Sequence, residues 1–348
     1  MYRRNLLGAS LAAVGGFALS GACSGASASG ALSASTSAPA VNATATPLDN
    51  PSALAATLAP GSCDCHVHIF DAARYPFAAN RSYTPGRALV SDLLGFEARL
   101  GIERVVVVQP SVYGTDNAAM LAALRDLGTL RARGVAVIDP QTVTPAELRA
   151  MHEQGVRGVR LNLEVKGQRD QSVALAQLQR AAETVAPLGW AIQIYADVDV
   201  VAALAPTIGA LPVHVVLDHF AGVRVPKQPE QKDAFDTVLA LVKGGNVYVK
   251  LSAPYRASRQ APDYADIAPF AQALIQARAD RMLWASDWPH TGSASHRDGD
   301  LSRVEPFRNE DAGRALNHVL AWADTAAVRQ QILVENPARL YGFAAQAS

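Results

Sequence analysis

From residue 61 onward, short runs rich in β-branched and apolar residues alternate with longer segments of helical period. This alternation restricts the fold more than any other feature of the chain. Eight runs can be counted, at 63–69, 104–109, 134–138, 158–163, 190–195, 213–217, 247–251 and 282–285. Strands separated by helices belong to βα units around a parallel sheet. Eight of them in about 290 residues match a single-domain α/β fold, a distorted (β/α)8 TIM barrel. A doubly wound sheet is disfavoured, because no glycine fingerprint follows Ile69. The clearest helix opens at Thr144-Pro145-Ala146-Glu147, where Thr144 caps, Pro145 suits the first turn, Glu147 completes a capping box and Gly155 ends the element. Further helices are expected over 117–130, 171–187, 198–209, 230–243 and 267–279, with a helical tail at 310–342.

The N-terminus reads differently. Arg3 and Arg4 precede a mildly apolar stretch interrupted by glycines, the pattern of a twin-arginine export signal over residues 1–28. Periplasmic localisation is the expectation. Cys23 leaves a lipoprotein as the alternative, although Leu19 stands one place too far from it for the usual lipobox. Residues 29–60 are rich in Ala, Ser, Thr and Pro and read as a disordered linker, so the barrel is expected over 61–348. Cys63 and Cys65 lie two apart on one strand, where a bridge would be strained, so two buried thiols are expected. A formal net charge of zero gives no electrostatic footprint for nucleic acid, or for a membrane once the signal is removed, and small-molecule chemistry is the better expectation. The composition does not fix an oligomeric state.

Four polar residues stand at the ends of otherwise apolar runs: His66, His68, His219 and Asp287. Strand alternation puts His66 and His68 on one face with Asp64 behind them. In a barrel, residues at the carboxyl ends of strands converge on one mouth, so all four can meet. Such a set suits hydrolysis in two ways. Imidazole and carboxylate can hold one Zn²⁺ or Mn²⁺ that acidifies water. Without metal, the same groups can polarise an ester carbonyl while Asp287 activates water. Arg160 ends the fourth run and Arg256 follows the seventh, where guanidinium forks would suit carboxylates.

The motifs Asp64-Cys65-His66-Val67-His68, Gln109-Pro110-Ser111, Gly155-Val156-Arg157-Gly158-Val159-Arg160-Leu161-Asn162, Leu217-Asp218-His219, Lys250-Leu251-Ser252, Asp287-Trp288-Pro289-His290 and Glu335-Asn336-Pro337 together resemble the amidohydrolase superfamily. The resemblance is greatest to its 2-pyrone-4,6-dicarboxylate lactonase branch. It implies a distorted barrel whose catalytic residues are His66, His68, His219 and Asp287. Asp287 would activate the hydrolytic water, and Tyr83, Ser111, Arg160, Lys166, Tyr195, Arg256 and His290 would bind the substrate. The substrate class it implies is a small carboxylated lactone or cyclic acid. The fourth run has no lysine to bridge two metals, and the branch is understood to work without one. A metal-free site is therefore favoured over one Zn or Mn held by His66, His68, His219 and Asp287. Lactone hydrolysis is likewise favoured over decarboxylation of a cyclic acid and over isomerisation of a sugar-acid lactone. The departures concern the pocket: Lys166 replaces a further arginine of the lactonase, and Thr291-Gly292 replaces its Pro-Asn. Tyr255 to Arg259 resembles the galactarolactone isomerases, which lack the complete histidine pair and aspartate found here.

Overall fold

The computed structural model describes residues 51–163, 171–227, 230–292 and 299–344. The expected export signal, Cys23 and Lys166 lie outside them. All eight expected runs are strands: β1 Cys63–Val67, β2 Arg104–Val108, β3 Ala132–Ala136, β4 Val156–Asn162, β5 Ala191–Tyr195, β6 Val215–Leu217, β7 Val247–Ser252 and β8 Met282–Ala285. They pair in parallel in chain order. Closure comes just beyond β8, where Val67 bridges Trp288 in parallel, the Asp287 amide donates to the His66 carbonyl at 3.1 Å, and the His68 amide donates to the Trp288 carbonyl at 2.9 Å. The result is the distorted (β/α)8 barrel expected from the alternation. β3 begins and ends two residues earlier than read from the sequence. Arg133 is tolerated inside it because its guanidinium runs to the barrel floor and donates to the carbonyls of Tyr341 at 3.0 Å and Gly342 at 2.6 Å.

Helices α1 Val90–Leu100, α2 Ala118–Leu127, α3 Pro145–Glu153, α4 Gln171–Val185, α5 Val198–Ala203, α6 Ala205–Ala210, α7 Lys232–Gly244, α8 Pro254–Ala257, α9 Ala268–Arg278 and α10 Ala312–Trp322 follow the strands. The Thr144 capping box forms as expected, with the Glu147 amide donating to Thr144 Oγ1 and the Thr144 amide to Glu147 Oε2. The helix expected over 198–209 is broken between α5 and α6, where Pro206 cannot continue the backbone ladder. The expected tail at 310–342 is likewise interrupted after Trp322, and Thr325 caps a fresh start by accepting from the Val328 amide. α1 was not evident in the sequence. Gly95 lies within it, and its buried face carries Glu97 among Leu93, Phe96 and Leu100, which blurs the apolar period.

Two apolar layers follow from strand alternation. Inward-facing Cys63, Cys65, Val106, Val108, Val135, Val216, Tyr248, Leu283 and Ala285 fill the barrel, closed below by Tyr341 and Phe343. Outward-facing residues such as Val105, Val107, Ile192, Ile194, Val247 and Val249 pack under the helices. The two cysteines are free thiols, buried with their sulfurs 3.9 Å apart. No helix of the described residues is long and apolar enough to cross a membrane.

In β1 the simple alternation fails. The register against β2 shifts between Asp64 and Val67, so one extra residue is accommodated there. His66 and His68 both reach the mouth, but Asp64 does not stand behind them. It turns out of the barrel, where its Oδ1 accepts from the amides of His66 and Ser286, each at 3.0 Å. There it meets Glu97 of α1, a second buried carboxyl. Burial pushes Asp64 up to about 6, and burial together with Asp64 pushes Glu97 well above the carboxylate range.

The described end of the expected linker is ordered against the barrel. The amide and hydroxyl of Ser52 donate to Asp311 at 2.9 and 2.5 Å, the Ala55 amide donates to Asn317 at 2.7 Å, and Leu54 and Leu58 pack on the core. Two leucines and a Ser-Asp clasp on α10 suffice to dock a segment whose composition alone suggested disorder.

The carboxyl pair predicts an unusual pH dependence of stability. Because the folded chain protonates this pair more readily than the unfolded chain does, its contribution is full below about pH 4 and fades as pH rises through about 6 and beyond. Glu97→Gln supplies a permanent donor to Asp64. Relative to wild type it should gain about 1–3 kcal/mol at pH 8 and little at pH 4, as read from urea midpoints across that range.

Candidate active site

The loops at the carboxyl ends of β6, β7 and β8 leave their strands through left-handed backbone. His219, Phe220 and Ala221 have φ of 49°, 53° and 57°, Ala253 has 47°, and Asp287 and His290 have 64° and 65°. Such conformations cost energy in non-glycine residues and persist where surrounding structure dictates them. After His219 the run ends at Gly222, where a Cβ would lie 1.9 Å from the Ala196 carbonyl oxygen. The tight turn thus returns His219 to the mouth and leaves no room for a side chain at its end.

The four strand-end residues meet as expected. Asp287 Oδ1 is faced by the Nε2 atoms of His66 at 3.7 Å, His68 at 3.8 Å and His219 at 3.9 Å, and the first two nitrogens are 3.2 Å apart. All four side chains are buried, and Oδ1 has no hydrogen-bond partner among the described residues. Burial pushes the imidazoles down, His68 to about 4 under the added influence of Arg160 and His219 to about 3. His66 is also held low, by burial and Lys250. All three are therefore neutral at pH 7. Burial opposes ionisation of Asp287, but Arg256 and the imidazoles outweigh it and hold the carboxyl well below its usual range.

Behind His66 stands a network that the sequence did not single out. Lys250 is fully buried, its Nζ lying 2.7 Å from Gln193 Oε1, 3.2 Å from His66 Nδ1 and 3.2 Å from Asp218 Oδ1. Gln193 Nε2 donates to Asp218 Oδ2 at 2.9 Å, and His66 Nδ1 is 3.3 Å from Asp218 Oδ1. Burial disfavours charge on Asp218, yet Lys250 and His66 keep it well below the usual carboxylate range. The available signal was alternation: Tyr248, Lys250 and Ser252, like Gln193 and Tyr195, are every second residue of a strand and so face inward. Ser252 Oγ lies 2.9 Å from His219 Nδ1 and orients that ring.

Arg160 is buried, its Nη2 is 3.6 Å from Asp218 Oδ2, and its Nε is an unpartnered donor. Tyr195 lies between it and the cluster, 5.7 Å from the guanidinium and edge-on to His219 at 5.0 Å. His290 is buried with both ring nitrogens unpartnered. Unsatisfied buried polar atoms gathered in one place point to a ligand. Arg256 lies against Asp287: Nε and Nη2 both bind Asp287 Oδ2, at 2.9 and 2.8 Å, and Nη2 also reaches Thr291. Tyr255, to which the sequence assigned no role, donates to the same oxygen at 2.6 Å. Ser111 is half-buried at the turn after β2, and Tyr83 is buried near Tyr113.

The donor set fits one divalent metal. Ligands 2.0–2.1 Å from a tetrahedral ion stand about 3.4 Å apart, and the three separations among His66 Nε2, His68 Nε2 and Asp287 Oδ1 are 3.2, 3.7 and 3.8 Å. His66, His68 and Asp287 form one candidate ligand group, and His66, Asp218 and His219 a second.

Residues 63–343 match the family model described as amidohydrolase. The chain belongs to the amidohydrolase family. It is 35% identical over 301 residues to the 2-pyrone-4,6-dicarboxylate hydrolase of Comamonas testosteroni, covering 84% of this chain and 93% of that protein. It is 34% identical over 311 residues to the 4-sulfomuconolactone hydrolase of Rhizobium radiobacter, covering 87% and 99%. A crystal structure from Acinetobacter baumannii, described as a probable 2-pyrone-4,6-dicarboxylic acid hydrolase with citric acid bound, superposes with a TM-score of 0.67 at 28% identity, covering 81% of this chain and 100% of that one. This amidohydrolase is accordingly a hydrolytic enzyme.

The buried network makes a stability prediction. Lys250→Met leaves the Asp218 carboxylate without its ammonium partner and should cost about 3–5 kcal/mol, measured by urea denaturation at pH 7. Lys250→Met combined with Asp218→Asn should recover part of that loss.

Proposed function

We propose that this amidohydrolase opens the ring of a small lactone that carries a carboxylate. The observation that carries the reading is a buried, unpartnered carboxylate oxygen faced by three neutral imidazoles, with the buried Nε of Arg160 likewise unpartnered. The names of the relatives from Comamonas and Rhizobium support the same substrate class. Water held at Asp287 Oδ1 attacks the ring carbonyl, its proton passes to Asp287, and the same carboxyl returns that proton to the ring oxygen as the C–O bond breaks. Arg160 meets the substrate carboxylate.

The hydrogen bonds support unequal roles for the histidines. The Val108 carbonyl, 2.7 Å from His68 Nδ1, only accepts, so that nitrogen carries the proton and Nε2 is a lone pair. With Lys250 donating to His66 Nδ1, the His66 Nε2 proton points at that lone pair, 3.2 Å away. His219 is then the imidazole free to donate to the carbonyl, a narrower task than polarisation by all three.

A second reading has an observation of its own, the lone pair of His68 beside His66 Nε2 and Asp287 Oδ1 at separations that suit ligands of one metal ion. His66, His68, His219 and Asp287 would hold one divalent ion, which would supply Lewis acidity to the carbonyl and acidity to bound water. His66 would then carry its proton on Nδ1 and donate it to Asp218, fixing the ring by a carboxylate–histidine pair. We also infer export by the twin-arginine route from Arg3, Arg4 and the stretch that follows.

Asp287→Asn should lower kcat by about 10²–10⁴-fold on a carboxylated lactone, followed by acid release, with KM changed only severalfold. Turnover at the wild-type rate would remove Asp287 from the mechanism. Protein purified without chelator and analysed for metal separates the two readings. A stoichiometric ion whose removal abolishes turnover supports the second, and full activity at trace metal content rejects it.

A further inference from the structure

Lys250 stands between two acceptors that compete for it. Its Nζ is 3.2 Å from His66 Nδ1 and equally 3.2 Å from Asp218 Oδ1, while Gln193 Oε1 takes another of its protons at 2.7 Å. Proximity to Asp218 does not amount to a hydrogen bond. Asp218 Oδ1 is buried and has no hydrogen-bond partner among the described residues, whereas Oδ2 of the same carboxylate accepts from Gln193 Nε2 at 2.9 Å. His66 Nδ1 lies 3.3 Å from that unpartnered oxygen, so the ring faces two options. It can accept from Lys250 at Nδ1, or donate from Nδ1 to Asp218.

The other side of the ring shows which option is taken. His68 Nδ1 gives its proton to the Val108 carbonyl at 2.7 Å, so His68 Nε2 is a lone pair. His66 Nε2 is 3.2 Å from it, and two lone pairs at that distance repel. His66 therefore carries its proton on Nε2 and accepts at Nδ1. One directed chain results: Lys250 donates to His66, His66 to His68, and His68 to Val108. An ion held by His66, His68 and Asp287 requires the reverse at His66, a lone pair on Nε2 and the proton on Nδ1 facing Asp218. The Lys250 ammonium would then lose its acceptor on the ring and stand, as a like charge, behind a ligand of a dication.

We propose that Lys250 sets the resistance of this cluster to a divalent ion: by donating to His66 Nδ1 it keeps the proton on Nε2, and Asp218 Oδ1 is the alternative acceptor that an ion-holding form would use. Lys250 is thus a positioning residue that acts through His66. With Asp218 it selects between a hydrogen-bonded and an ion-holding form of the same side chains. The inference concerns proton placement and ion affinity, and it does not depend on the substrate proposed above.

Two measurements on chelator-treated full-length protein test it without turnover. Long-range ¹H–¹⁵N spectra of the histidine rings at about pH 7, with His66 assigned by the loss of its signals in His66→Gln, should place the His66 proton on Nε2 and the His68 proton on Nδ1. A wild-type His66 protonated on Nδ1 would overturn the proposal. Zn²⁺ affinity, read by competition with a chromophoric chelator, then compares wild type with the double variant Lys250→Met/Asp218→Asn. That variant removes one charge of each sign, so a change in net charge cannot explain its behaviour, and the amide oxygen introduced at 218 can still accept from Nδ1. It should bind Zn²⁺ about 10–100-fold more tightly than wild type, with the His66 proton already on Nδ1 before zinc is added. Equal or weaker binding would sink the assignment. Should the double variant not fold, zinc titration of wild type decides: transfer of the proton from Nε2 to Nδ1 as the ion binds supports the selector, and binding with Nε2 still protonated rejects it. Stoichiometric zinc in wild type as purified would favour the second reading of function and leave the comparison between wild type and variant standing.

Discussion

Two backbone hydrogen bonds, from the Asp287 amide to the His66 carbonyl and from the His68 amide to the Trp288 carbonyl, close the barrel through residues of the candidate site. Closure of the sheet and assembly of the site are therefore one event. The extra residue in β1 lets both histidines face inward at that seam, while Asp64 ties the His66 and Ser286 amides together from outside. Left-handed residues at the ends of β6, β7 and β8 then turn their side chains over the mouth. A misplacement of about 1 Å in such a cluster can cost a large factor in rate, so it is physically sensible that backbone pairing sets the positions.

The second constraint is electrostatic. Two carboxylates, Asp218 and Asp287, are buried as anions, each held ionised by its own cations, Lys250 with Arg160 for the first and Arg256 for the second. Buried ion networks of this kind contribute little net stability, because desolvation consumes most of the attraction. They do supply fixed dipoles and charges among buried side chains, which would need no reorganisation if charge developed beside them. The neutrality of the imidazoles follows from the same burial, and it leaves their nitrogens free as lone pairs or as neutral donors.

Much of this was legible from the chain. Eight β-rich runs gave the barrel, and His66, His68, His219 and Asp287 stood out because polar residues at the ends of apolar strands are otherwise costly. The Thr144 cap was readable because its interactions are local. What escaped depended on tertiary context. Lys250 and Gln193 sit inside strands where only inward direction, not residue type, marks them as part of the site. The bulge in β1 changes which face Asp64 takes, and a single inserted residue has no compositional signature. α1 was hidden because Glu97, a polar residue on its buried face, finds its partner on another element. Arg256 was read as a substrate grip because a guanidinium suits any carboxylate; which carboxylate it meets is decided by the α8 turn, which presents it to Asp287 beside Tyr255.

That last placement bears on how the base can work. A carboxylate whose second oxygen takes two guanidinium contacts and a phenol is firmly ionised but weakly basic, which suits holding water more than removing its proton. Any anion that drew Arg256 towards itself would weaken those contacts and make Asp287 more basic. A neutral lactone offers no such pull. Charge on the substrate would thus enter the chemical step as well as binding, and selection for anionic substrates would appear in kcat in addition to KM.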